Sequence, residues 1–346
     1  MISRKWYETE GPDRDVVLGS RACLIRNMTD LPFPSRMSRS DMERSRMRVE
    51  HALCRLNPAV KEKFSCVDLE ECDECTAVSL VEQQLCTPEF IAKPTGRSLF
   101  YSADGGISIM VNGADHLHLQ LVQPGYQLDE TLSLADKLDT MLDRCLRFAF
   151  HNDVGYLTQS LTDLGTGMVP TLQLHLPALQ QGGAMERLSR DVAQLGFSLR
   201  GIFDGAVEPA GAVYELTNRI TLGISEKNEI QNLKSIGRQL IDRERYARTD
   251  LLKAVEVQEA VSRSLAMMES ARMLEFREFL KLYANVRMGL CVGFVKGLRT
   301  EQLDSLLFAV QPATMALRSG KPLTPQQRQT RRAQLVSSTL VPAREI

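Results

Sequence analysis

The sequence predicts a mixed α+β domain followed by an all-helical region, and three observations carry that expectation. Up to about residue 245, short alternating or continuous apolar runs interleave with segments of helical periodicity. Beyond about residue 246 every apolar-periodic run is helical, with no strand signal among them. A chain of 346 residues is long enough to bury one large core and a smaller one. We therefore expect domains at 1–245 and 246–346. The boundary is soft by several residues, because a helix over 226–248 can run straight into the next one.

Taken in order, residues 38–56 read as a helix. Ser38 or Ser40 caps it, and Met42, Met47, Val49, Leu53 and Cys54 supply its apolar positions. Runs at 98–102, 107–111 and 116–122 read as antiparallel strands, with Asp104-Gly105-Gly106 as the hairpin between the first two. From 130 to 149, Leu134, Leu138, Met141, Leu142, Cys145 and Leu146 fall at helical spacing. Further strands are expected near 155–159, 171–176, 196–203 and 212–217, interleaved with helices near 183–195 and 226–248. The later helical runs are Leu251–Met268, Met273–Ala284, Glu301–Phe308 and Pro325–Val336. There is no internal repeat and no low-complexity segment.

Lys and Arg total 42 against 43 Asp and Glu, a net charge of −1, so no strong field steers the protein toward nucleic acid or an acidic membrane. No apolar run approaches the ~18 residues of a membrane span. The first residues, Met1 to Glu8, lack an apolar signal core. A cytoplasmic protein is expected. Cysteines are scattered, and reducing conditions would keep them as thiols. Only Cys66, Cys72 and Cys75 cluster, among acidic residues and without a second ligand pair. Since zinc usually takes four ligands, structural or incidental thiols are expected and no metal site is assigned.

The stretch Asn112-Gly113-Ala114-Asp115-His116-Leu117-His118 is the most informative in the chain. It resembles the Asn-Glu-Glu-Asp-His-Leu-Arg signature of the ATP:guanidino phosphotransferases, the phosphagen kinases. Other segments resemble the same superfamily in order: Gly19 to Asn27 with Pro32-Phe33-Pro34, Leu80 to Leu85, Gly155 to Thr158, Leu164 to Gly167, His175 to Leu179, Arg200 to Phe203 with Glu208, and Asn218 to Gly223. Arg328-Gln329-Thr330-Arg331-Arg332-Ala333 is similar to the Arg-Asp-x-x-Arg-Ala motif of the bacterial McsB-type protein-arginine kinases. The resemblance covers nearly the whole chain. It implies a phosphagen-kinase catalytic-domain fold, an antiparallel sheet flanked by helices, followed by a helical C-terminal domain.

The resemblance also implies a damaged site. The carboxylate that orients and deprotonates the attacking guanidinium in that family falls at Ala114. Arginines that hold ATP phosphate fall at Cys23, His118 and Val169, and a pocket histidine at Gln84. The active-site cysteine matches Ser160, the following Asn matches Asp163, and the position after Val169 is Pro170. What the resemblance leaves for ATP is Ser20, Arg21, Arg200 and Gly201, with Glu208 as the one retained catalytic carboxylate. Losing a positioned acid or base costs about 10²–10⁴ in rate. Losing a phosphate-clamping arginine costs about 10³ or more. His118 is mostly uncharged near neutral pH unless its site shifts it, and His116, His175 and Asp115 are expected to brace structure.

In the McsB-like motif Arg328 and Arg332 remain, while Gln329 replaces the aspartate that would pair with a phosphoarginine guanidinium. The expectation is a pseudokinase, a scaffold or adaptor in Clp-type protein quality control. The partners implied are a zinc-binding McsA-like activator, a Clp-type AAA+ unfoldase and a second copy of the chain. No cofactor is expected, with Mg-ATP the requirement if activity survives. The alternatives left open are an active protein-arginine kinase with a rearranged site, a kinase of free arginine, and a regulatory subunit of an active homologue.

Overall fold

The computed structural model describes residues 4–56, 64–203, 208–219 and 226–340. Its strands are β1 (Val17–Arg26), β2 (Phe64–Asp68), β3 (Ser98–Ser102), β4 (Ile107–Val111), β5 (Leu117–Pro124), β6 (Phe150–His151), β7 (Gly155–Tyr156), β8 (Met168–His175), β9 (Phe197–Gly201) and β10 (Val213–Asn218). Eight of them form one antiparallel sheet in the order β2-β3-β4-β5-β1-β8-β10-β9, and β6 and β7 form a separate hairpin. The helices of the first part are α1 (Arg39–Leu56), α2 (Glu74–Glu82), α3 (Pro88–Ile91), α4 (Leu128–Leu146), α5 (Pro177–Gln181), α6 (Met185–Gln194) and α7 (Glu226–Leu251). The C-terminal part holds α8 (Val255–Ser270), α9 (Phe276–Cys291), α10 (Thr300–Ala309), α11 (Pro312–Ser319) and α12 (Pro325–Leu340).

The two-residue period of a strand divides the sheet into two unlike faces. On one face Ala22 and Leu24, Leu119 and Leu121, Leu172 and Leu174, and Tyr214 and Leu216 pack against Val49 and Leu53 of α1, Leu138 and Leu142 of α4, and Leu240 and Ile241 of α7. Each fully buried side chain of this size contributes about 1.5–3 kcal/mol. On the other face, Leu99 and Met110 at the β3–β4 end are covered by Leu80, Leu85 and Phe90 from α2 and α3 and the turn between them. The middle of that second face, across β5, β1, β8 and β10, is polar and forms the floor of a cleft.

Local chemistry explains the connections. The β3–β4 hairpin turns at Gly105, whose φ of +71° is left-handed, while Asp104 Oδ1 accepts from Gly106 N at 3.0 Å and Ser102 Oγ at 2.5 Å. Helix α4 ends where Arg147 turns left-handed at φ 56° and Phe148 N donates to Asp143 Oδ1 at 2.6 Å.

The helical part docks on the sheet through a charged cluster from which water is excluded. Arg14 Nη2 and Arg287 Nε donate to Asp304 at 3.1 and 2.7 Å, and Tyr283 Oη joins them at 2.8 Å. Arg287 also donates to the carbonyls of Arg14 and Asp15 and lies 3.2 Å from His175 Nδ1. Beside it, Tyr7 stacks on Phe308 with centroids 4.1 Å apart.

Several elements differ from the sequence expectation. Helix α7 runs through residue 246 to Leu251, and the next helix starts at Val255, because Leu252 turns inward to join Val261 and Leu265 in the core. The strand expected at 155–159 shortens to Gly155–Tyr156, and the helix expected at 130–149 spans Leu128–Leu146. Strands β1, β2 and β6 and helices α2, α3, α5 and α11 are not predicted by the sequence patterns. β1 carries charged and small residues on its cleft face, which breaks the apolar pattern. Among the described residues no helix is long and apolar enough to cross a membrane.

Candidate functional site

Strand register brings together several of the positions where the resemblance implies a departure from the family pattern. Cys23 on β1 pairs with Gln120 on β5 and Val169 on β8, and Ile25 pairs with His118. Since directly paired residues share a face, Cys23, His118, Gln120 and Val169 all lie on the cleft floor. Burial pushes the Cys23 thiol up to about 12. Burial, then the nearby Arg21 cation, pushes His118 down to about 4, and its Nε2 has no hydrogen-bond partner among the described residues. At neutral pH the centre of the floor therefore carries no positive charge.

Arg21 and Arg200 flank this neutral patch, and both are held by one carboxylate. Arg21 Nη1 donates to Glu215 Oε1 at 3.2 Å, and Arg200 Nη2 to Glu215 Oε2 at 3.1 Å. Glu215 stands directly across from Arg200 on β9 and from Gln173 on β8. Arg21 Nη2 donates to Gln84 Oε1 at 2.5 Å, and the same oxygen accepts from Gln173 Nε2 at 2.7 Å. Gln120 Nε2 donates to the Gln84 carbonyl at 2.6 Å, and Gln84 itself is left-handed at φ 59°. Gln84 thus sits at a special backbone position as the hub of a glutamine cluster.

The cleft continues away from these arginines as a cavity of about 1110 Å³ lined by Gly113, Ala114, Asp115, Phe90 and Met110, and shares Cys23, His118, Asp163 and Val169 with the arginine-lined cavity of about 620 Å³. The loop around residue 112 keeps its bracing. Asn112, left-handed at φ 62°, donates through Nδ2 to Met42 O at 2.9 Å and Gly96 O at 2.8 Å. Asp115 accepts from Asn27 Nδ2 at 2.6 Å and Gln159 N at 2.7 Å, and His116 Nδ1 accepts from Met28 N at 3.1 Å. Between these braces Gly113 and Ala114 offer no functional group. Asp163 adds a carboxyl whose pKa is raised by burial and by Asp115.

Other expected site residues lie elsewhere. Ser20 and Gly201 are one residue out of phase with Arg21 and Arg200, so strand alternation turns them from the cleft. Ser20 Oγ donates to Gly125 O and accepts from Gln127 N, both at 2.9 Å, and Gly201 pairs with Tyr214. Glu208 is exposed and is not among the described residues lining either cavity. Arg332 is buried against backbone: its Nε donates to Val310 O at 3.0 Å and its Nη1 to Leu274 O at 2.9 Å, while burial and Arg328 push its pKa down to about 10. Arg328 lines a groove of about 690 Å³ between α2 and α11, and Gln329 accepts Leu274 N through its backbone. In that groove Glu82 caps α11, accepting from Ala313 N at 2.9 Å and Thr314 N at 2.7 Å.

Cys66 is exposed on β2, while Cys72 and Cys75 are half-buried; all three thiols are shifted up, first by burial and then, largely, by acidic neighbours. Among the described residues no group of three His, Cys, Asp or Glu is placed to hold a metal ion. Sequence reasoning missed Glu215, Gln120 and Gln173. Their signal was the alternation of polar residues along β5, β8 and β10, whose shared face is defined by register.

Residues 45–247 match the family model of the ATP:guanido phosphotransferase C-terminal catalytic domain, and residues 254–345 that of the protein-arginine kinase McsB C-terminal domain. A protein-arginine kinase of Symbiobacterium thermophilum is 37% identical over 352 residues, covering 98% of each chain. That of Bacillus subtilis strain 168 is 33% identical over 337 residues, 97% of this chain and 93% of its own. Among solved structures, lombricine kinase superposes with a TM-score of 0.59 at 18% identity over 67% of each chain, which speaks to fold alone. The duplicated taurocyamine kinase of Schistosoma mansoni gives 0.59 at 20% identity, over 79% of this chain and 40% of that one. Sequence, both domain models and fold agree, and the chain belongs to the protein-arginine kinase family of the ATP:guanido phosphotransferases.

Proposed function

We propose that this chain is a pseudokinase of that family, a non-catalytic scaffold or adaptor in Clp-type protein quality control. One observation carries the reading: Cys23, His118 and Val169 lie side by side on the cleft floor without a cation among them. Phosphoryl transfer draws its rate from positioning and from neutralising phosphate charge. A floor of thiol, neutral imidazole and isopropyl supplies neither, and Ala114 supplies no base. We further propose a phosphagen-kinase-like unit at 1–245 and a helical unit at 246–346. The proposed partners are a zinc-binding McsA-like activator, a Clp-type AAA+ unfoldase and a second copy of the chain. The proposed setting is the cytoplasm, with no bound cofactor. The rival reading, an active protein-arginine kinase with a rearranged site, draws on Arg21 and Arg200 at the cleft and on Glu208 as base.

The test is direct. The purified chain is incubated with Mg-ATP, an arginine-rich protein and an activator protein, and acid-labile phosphate is sought by phosphorus NMR. None is expected, and millimolar Mg-ATP is expected to leave the melting temperature unchanged. A ligand at 100 times its dissociation constant would add about 2.7 kcal/mol, an easily seen shift. Phosphoarginine that disappears in a Glu208→Ala variant would establish the rival.

A further inference from the structure

Of the three arginines that line the smaller cavity, Arg21, Arg200 and Arg219, the first two do not face it unaccompanied. The Glu215 carboxylate bridges them, one oxygen 3.2 Å from Arg21 and the other 3.1 Å from Arg200. An acceptor with two oxygens set between two guanidinium groups occupies the geometry that an incoming phosphate would need. The Arg21 and Glu215 side chains are only 13% and 14% exposed, so solvent screens their interaction poorly. Gln84 Oε1 takes the other terminal nitrogen of Arg21 at 2.5 Å and is fixed from behind by Gln173 at 2.7 Å. Asp163 lines the same cavity and adds a second carboxyl.

We propose that Glu215 is an internal counter-ion that keeps a condensed-phosphate site closed in this cleft, and that removing its charge is enough to open the site without restoring any arginine. The proposal rests on the reading of the cleft as non-catalytic. Its logic is a charge count at one place. Arg21, Arg200 and Arg219 bring three positive charges, and Glu215 with Asp163 brings up to two negative ones. A polyanion entering now would meet two repulsions, and two of the three arginines that could attract it are already engaged by Glu215. Glu215→Gln removes one of the repulsions, and its single amide oxygen can still accept from one of the two guanidinium groups while the other is released toward the cleft.

The probe is inorganic pyrophosphate, titrated by calorimetry into the wild-type chain, Glu215→Gln, and Glu215→Gln combined with Arg21→Ala. The wild type should show no saturable binding at millimolar probe. Glu215→Gln should bind at least about tenfold more tightly, as removal of a full charge a few ångströms away requires. That binding should weaken as salt is raised, and Arg21→Ala should abolish it. Equal affinity of wild type and Glu215→Gln would overturn the proposal, as would a gain that survives Arg21→Ala. Should Glu215→Gln fail to fold, Glu215→Ala carries the same comparison, because it too removes the carboxylate charge, and the absence of a gain in pyrophosphate affinity would overturn the proposal. Failure of the underlying reading shows separately: phosphoarginine formed by the wild type would overturn the non-catalytic assignment, while the pyrophosphate comparison would still decide the role of Glu215.

Discussion

Cys23 on β1 and Val169 on β8 are cross-strand partners at the centre of the cleft floor, a thiol beside an isopropyl group. With His118 on the neighbouring strand they form one contiguous neutral patch, and the three side chains act on the same few ångströms of the cleft. Their effects on phosphate binding are therefore coupled and should be reversed together.

Restoring Cys23→Arg, His118→Arg, Val169→Arg and Ala114→Glu should recover ATP binding before turnover. Without ligand the variant should melt below wild type, since like charges on adjacent strands repel. Mg-ATP should raise its melting temperature, and less so as salt increases. Turnover should lag, because it also needs sub-ångström positioning next to Pro170 and Asp163. Calorimetric titration decides the matter. A folded variant that binds ATP no better than wild type would show that these side chains no longer converge on a phosphate position.

Asp304 should be among the most sensitive positions in the helical part. It is fully buried and accepts from both Arg14 and Arg287. Asp304→Asn leaves two buried guanidinium groups without a counter-charge, which costs about 3–5 kcal/mol. Urea unfolding of the variant is the measurement; a loss below about 1 kcal/mol would mean that backbone carbonyls alone satisfy the two arginines.

Glu244 gives the stability a pH dependence of unusual sign. Burial pushes its carboxyl from 4.5 up to about 7, although Ala178 N and Leu179 N donate to it at 3.1 and 3.0 Å. The folded pKa lies above the unfolded one, so the stabilisation is fully present below 4.5 and is lost as pH rises toward about 7. In that window the slope is about −1.4 kcal/mol per pH unit. Urea midpoints of wild type should fall between about pH 5 and pH 7 relative to those of Glu244→Gln. Parallel profiles for the two proteins would sink the assignment.

Much of the fold was legible before any coordinates. The Asp104-Gly105-Gly106 turn, the spacing of Leu138, Met141, Leu142 and Cys145, and the purely helical tail each report a local preference of the backbone. β1 was not legible as a strand. Its alternation sets Arg21 and Cys23 against Ala22 and Leu24, and the polar set reads as an interruption until neighbouring strands show that it forms a cleft face. Arg332 illustrates the same limit: its motif can be read from the sequence, whereas only the fold shows its Nε and Nη1 donating to the carbonyls of Val310 and Leu274.

The sequence by itself determined which side chains stand at positions 23, 114, 118 and 169, because their identity needs no fold to be read. Tertiary structure decided what became of the groups that remain. Arg21 and Glu215 are 194 positions apart, and nothing local relates them. They meet because β8 lies between β1 and β10, with Thr171 opposite Arg21 and Gln173 opposite Glu215. Ion pairs depend on distances of a few ångströms, and between remote segments those distances are set by strand order and register.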